Sequence, residues 1–218
     1  VAIPFVENFG EDAERDDREA AELMLRHGIA EDVVDALRKV TGSFRDWGAK
    51  VTVTRPLRDG EVVQLRDRAL EVQYRPGHSP SDTVFWDADR GILIAADHLI
   101  KHISSNPLIS RPLDGSSERW QALVRYLESL QRTRELPAEI VLSGHGEPIT
   151  DHVALIDQRL AMHQRRAEKL YGLIAERART GHDLAQAIWG DVAVTQAFLT
   201  LSEVIGHVDL LINAGLYH

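Results

Sequence analysis

Hydrophobic positions change their spacing twice along the chain. Leu23, His27, Val33, Val34, Leu37 and Val40 recur at helical intervals behind an acidic stretch, and Gly28 falls between them, which predicts two short helices. The acidic run at residues 11–17 reads as a solvated face opening the first helix, because carboxylates suit the positive end of a helix dipole. Beyond Gly48 the period falls to two. Segments 51–53, 62–65 and 70–74 read as short strands, with the turn signals Arg58-Asp59-Gly60 and Arg66-Asp67-Arg68 between them. Strands over 83–86 and 92–95 follow, joined by Asp87-Ala88-Asp89-Arg90-Gly91. A helix is predicted over 117–132, with Trp120, Leu123, Val124, Leu127 and Leu130 on its buried stripe, and then a buried strand over 139–143. From His152 the helical period returns. Val153, Ile156, Leu160, His163, Ala167, Leu170 and Ile174 form the seam of a long helix, on which His163 reads as a packed residue. Thr180-Gly181-His182 ends it, and shorter helices are predicted over 183–188 and 192–213. The chain thus divides into a mixed α/β part, residues 1–151, and a helical tail, residues 152–218.

Composition narrows the function classes. Of 218 residues, 44% are apolar and 27% charged, which is ordinary for a globular chain and excludes wholesale disorder. No apolar run approaches the ~20 residues that span a bilayer, so no membrane partner is expected. Cysteine is absent, which removes disulfides, thiolate nucleophiles and cysteine-held zinc from consideration. With 25 basic against 34 acidic residues the net charge is −9, and residues 180–218 contain neither Lys nor Arg. A tail without cations forgoes the phosphate contacts that dominate nucleic-acid affinity, so no DNA partner is expected. The first residues lack a basic stretch followed by an apolar core, and a cytoplasmic location is expected.

Three segments place a potential metal ligand just past a predicted strand. They are Pro76-Gly77-His78-Ser79-Pro80, the Asp97-His98 pair after Ala95-Ala96, and Ser143-Gly144-His145-Gly146. Loops at strand ends present functional groups on a rigid base. Glycine allows the sharp turn that aims the next side chain. Imidazole and carboxylate are what a catalytic zinc takes when no cysteine is available. His98 and His102 are four apart, but Ser104-Ser105-Asn106-Pro107 argues against a helix there, so both are expected as loop residues near the mouth of a cleft. His152 reads as a cap of the long helix, while His207 and His218 belong to no recognisable ligand set.

In this order and at these spacings the three segments resemble the later motifs of the metallo-β-lactamase superfamily, especially its glyoxalase II-like and LACTB2-like hydrolases. Arg58-Asp59-Gly60-Glu61-Val62 and Asp97-His98-Leu99, followed by Ile103-Ser104-Ser105-Asn106-Pro107, strengthen the likeness. It implies an α/β fold: an incomplete αββα sandwich over 1–151, with a helical, winged-helix-like domain over 152–218. It also implies two Zn²⁺ ions per site. His78 would serve the first metal, His145 the second, and Asp97 would bridge them as the carboxylate on which catalysis depends. The activity implied is hydrolysis of a small-molecule thioester or ester by a zinc-bound hydroxide. The family's His-x-His-x-Asp-His motif is missing, since residues 1–77 hold only His27, and the match starts partway along the family pattern. The chain is therefore expected to be the C-terminal portion of a longer hydrolase, inactive as it stands. Two other readings stay open: a non-catalytic or fragmentary module that self-associates as a homo-oligomer, and a single-stranded nucleic-acid hydrolase of the same superfamily.

Overall fold

The architecture is that of a computed structural model, which describes residues 6–45, 47–112 and 118–216. Ser117, where the central helix is expected to begin, and His218 lie outside these. Two helices open the chain, α1 (Phe9–Arg26) and α2 (Glu31–Arg45), and Gly28 separates them in the left-handed region at φ 88°. Five strands follow: β1 (Val62–Gln64), β2 (Ala69–Tyr74), β3 (Thr83–Asp87), β4 (Ile92–Ala96) and, after helix α3 (Ala122–Arg134), β5 (Ile140–Ser143). After β5 come helices α4 (His152–Glu176), α5 (Gly181–Trp189), α6 (Val192–Thr195) and α7 (Ala197–Asn213).

The strands lie in the order β1-β2-β3-β4-β5, antiparallel until β5 pairs parallel to β4. A parallel neighbour needs a crossover, and α3 supplies it. Alternation then sorts the side chains. Val84, Trp86, Leu93, Ala95 and Val141 face one side and pack under Leu123, Tyr126 and Leu130 of α3 and Ile156 of α4. On the opposite face Ile94, Ile140 and Leu142 each remain more than a third exposed. Among the described residues, α3 and α4 cover one face of the sheet, while on the other Leu70 and Val72 of β2 are buried and the β4–β5 end is open.

Several local expectations need correction. Residues 51–53 are not a strand: Val51 and Val53 donate to Val6 O and a Glu7 carboxylate oxygen, outside any sheet ladder. α3 starts five residues later than expected, so Trp120 precedes it, and the buried stripe gains Tyr126. β5 is not buried throughout, because only Val141 of its apolar residues faces the core. His152 does not cap α4. The Asp151 carboxylate accepts from Ala154 N, while His152 Nε2 bonds to Leu136 O. Residues 192–213 make two helices, broken at Gln196.

The helical tail packs against the start of the chain. Ala197, Leu201 and Ile205 of α7 share a cluster with Ala21, Met24 and Val34 of α1 and α2. The other side of α7 meets α4, α5 and α6 through Val204, Leu170, Leu184 and Ala193. Thr180 caps α5 in a reciprocal box with Asp183. No helix among the described residues is long and apolar enough to cross a membrane.

Candidate metal centre

Strand direction explains why three distant loops meet. β2 ends at Tyr74, opposite Thr83 at the start of β3; β4 runs back to Ala96, and β5 ends beside it at Ser143. The loops after β2, β4 and β5 therefore leave the sheet at one end, carrying His78, Asp97 and His145.

Each loop is held by contacts that fix its side chain. Gly77 turns the first one with φ 157°, and a Cβ there would stand 2.4 Å from Tyr126 Cβ and 2.5 Å from its Cα, so only glycine fits. Ser79 N and Oγ both donate to the Asp82 carboxylate, closing the turn. His78 Nδ1 donates to Asn106 O at 2.9 Å, which leaves Nε2 bare, the arrangement of a metal-binding imidazole. Asp97 follows Ala96, the one non-glycine residue with positive φ (45°) among those described. Three hydroxyls take three successive carbonyls of this turn: Ser105 Oγ donates to Asp97 O, Tyr126 OH to His98 O and Ser143 Oγ to Leu99 O. Gly144 lies against the carboxylate, and a Cβ there would fall 2.3 Å from Asp97 Oδ1.

The result is a close pair with a third group beside it. Asp97 Oδ1 lies 3.5 Å from His145 Nε2, and His145 is largely exposed while Asp97 is about 38% exposed. Two ligand atoms about 2.0–2.1 Å from a tetrahedral zinc stand roughly 3.3 Å apart, so this pair fits one ion with little movement. His78 joins them through the adjacent Ser105 and Asn106, which bond Asp97 and His78 respectively. It is not gathered into a three-ligand cluster with them; among the described residues that geometry belongs only to His163, Glu203 and His207. The three side chains are of types that a divalent metal takes, and the Asp97–His145 pair has a spacing that one ion could span.

His98 does not stand at a cleft mouth. It is buried under the sheet with Nε2 2.9 Å from Thr133 Oγ1, and desolvation pulls its pKa down to about 3. Its partners come from α3, so nothing local announced them. His102 is exposed, and its ring lies against Gly146. His163 is buried in the α4 seam as expected, but it has an unforeseen partner: its Nδ1 faces His207 Nε2 at 3.2 Å, while His207 Nδ1 donates to Glu203 O. Arg166 neutralises the buried Glu203 carboxylate at 2.5 Å. Two polar side chains four apart within apolar α7, Glu203 and His207, were the available signal for a polar core.

One end of the sheet thus carries two histidines and an aspartate on the loops after β2, β4 and β5. The family model of the metallo-beta-lactamase superfamily matches residues 19–145, more than half of the sequence, and the chain belongs to that superfamily. Its members typically bind divalent metals, often zinc. Among individual proteins, the chain is 34% identical over 189 residues to the probable metallo-hydrolase YqjP of Bacillus subtilis, covering 87% of this chain and 58% of that one. A beta-lactamase domain protein from Burkholderia ambifaria shares 28% identity with a TM-score of 0.76, covering 88% of this chain and 55% of that one. A metallo-beta-lactamase family protein from Thermus thermophilus gives 26% and 0.71, covering 91% and 60%. The human acyl-coenzyme A thioesterase MBLAC2 is 31% identical over 121 residues, 51% of this chain and 39% of that one. The chain spans less than two thirds of the length of each of these relatives.

Proposed function

We propose that this chain carries part of the active centre of a metal-dependent hydrolase acting on a thioester or ester. The observation that carries the reading is the meeting of Asp97 and His145 at 3.5 Å, at the sheet end where His78 offers a bare Nε2. His78, Asp97 and His145 would hold zinc, the roles that the resemblance implies for them. A divalent ion held by these residues would supply Lewis acidity toward water and an acyl carbonyl. The protein's own work is positional. Ser105, Tyr126 and Ser143 fix the backbone under Asp97, and the Asn106 carbonyl fixes the His78 ring. The likeness to an acyl-coenzyme A thioesterase favours acyl substrates.

Zinc uptake by the 218-residue chain, followed by equilibrium dialysis, tests the reading. Bound zinc should fall at least tenfold in Asp97→Ala and in His145→Ala, while His102→Ala should change it little. A chain that binds no zinc, or binds it equally without Asp97, overturns the proposal in favour of a non-catalytic module. Salt-sensitive binding of single-stranded RNA would favour the nuclease reading instead.

A further inference from the structure

Helices α1 and α2, the segment 108–112 and Phe198 of α7 enclose a groove of about 560 Å³. This is within the range of pockets that engulf a drug-sized ligand. Its walls are Leu23, Met24, Leu37, Leu108, Ile109 and Phe198, and a methionine among them lets the surface adapt to the shape of an apolar guest. Two of the three arginines on its border, Arg111 and Arg119, are committed to ion pairs. Arg111 pairs with Asp12 and Asp16 at 2.6 Å each, and Arg119 donates to Asp209 at 2.8 Å. Those ion pairs brace the walls and leave the floor apolar, which suits a hydrocarbon better than a phosphate or a sugar.

The groove shares a wall segment with the support of the candidate metal centre. Asn106, whose carbonyl holds the His78 ring, is two residues from Leu108, which lines the groove and donates its N–H to His78 O at 3.4 Å. The same segment is pinned to α7: Asn106 Nδ2 donates to Leu199 O, and Ile109 N to Ser202 Oγ. The wall of the groove and the seat of His78 are thus one stretch of chain.

We propose that this groove receives the long unbranched acyl chain of the substrate, with the scissile carbonyl at the His78, Asp97 and His145 end. The proposal rests on the hydrolase reading above, yet it makes a separate claim about binding. Burying a methylene is worth ~0.8 kcal/mol, so affinity should rise roughly fourfold per carbon, about fifteenfold per two-carbon step, until the groove is filled.

The test uses the 218-residue chain without added metal, titrated calorimetrically with butyryl-, hexanoyl-, octanoyl- and decanoyl-coenzyme A below their micelle concentrations. Kd should fall by about an order of magnitude per step. Ala20→Trp and Thr41→Trp, which fill the groove from α1 and α2, should flatten that series, with circular dichroism confirming that each variant is folded. Asp97→Ala should leave the chain-length dependence intact. A series that is flat in the parent, or equally steep in both filled variants, overturns the proposal. A steep, groove-dependent series in a chain that takes up no zinc would uphold the acyl site and overturn the hydrolase reading.

Discussion

Two imidazoles in the helical core make the fold sensitive to acid. Desolvation is the first cause for both, and it pulls His163 from 6.5 down to about 3 and His207 down to about 4. Because the folded pKa is below the unfolded one, unfolding takes up protons. The stability is present above pH 6.5 and is lost as pH falls toward 4. Shifting from pH 7 to 5 costs about 2 kcal/mol for each ring at ~1.4 kcal/mol per pH unit, roughly 4 kcal/mol for the pair. That is a large share of the ~5–15 kcal/mol that holds a typical domain together. His98 carries a shift of the same sign. Glu203 works in the opposite direction: burial raises its pKa, so acid relieves part of its cost even though Arg166 pulls the other way. Surface carboxylates with lowered pKa, such as Asp157 and Asp183, titrate below this window. Urea unfolding followed by circular dichroism between pH 7.5 and 5 should show stability falling by several kcal/mol, about 4 kcal/mol of it from these two rings, with uptake approaching two protons from the pair. His163→Phe should remove one of them. Equal stability at pH 7 and 5 would refute the reasoning, as would NMR titration of either ring near 6.5 in the folded chain.

Two further substitutions probe the site and the tail. Gly144→Ala drives a methyl into Asp97 Oδ1 and close to the Ala96 backbone, so zinc affinity should drop at least tenfold in dialysis while the melting temperature moves by only a few degrees. Thr180→Ala removes the hydroxyl that accepts from Asp183 N and opens the capping box of α5, which should cost about 1 kcal/mol in urea unfolding at neutral pH.

The strands and the loops that carry His78, Asp97 and His145 were legible because their signals are local. A period of two ending at Gly-His or Ala-Asp names both the element and the group it presents, and β2 to β5 lie within a residue or two of their expected ends. What those signals could not convey was direction. Nothing in the apolar pattern of 139–143 says that β5 runs parallel to β4, yet that pairing brings His145 to Asp97. The Val51 and Val53 alternation shows the converse failure. Two alternating valines satisfy a strand template, but their amides bond to residues 6 and 7 instead of a strand.

The histidines separate local from non-local information most clearly. His98 sits beside a candidate ligand in a segment that looks like a loop, so exposure is the natural expectation. Its burial depends on Thr133, 35 residues away, and on packing beneath α3. A partner far along the chain becomes a neighbour only after the sheet and helix have docked, and no spacing rule reports that. The same holds for the turn at Asp97. Ser105, Tyr126 and Ser143 are unremarkable hydroxyls in sequence, yet their donation to carbonyls 97, 98 and 99 satisfies a buried backbone that would otherwise be costly to leave unpaired. Removing one hydroxyl would therefore act on Asp97 without touching it. A metal-binding defect in Ser105→Ala, with Asp97 and His145 intact, would be positional in origin.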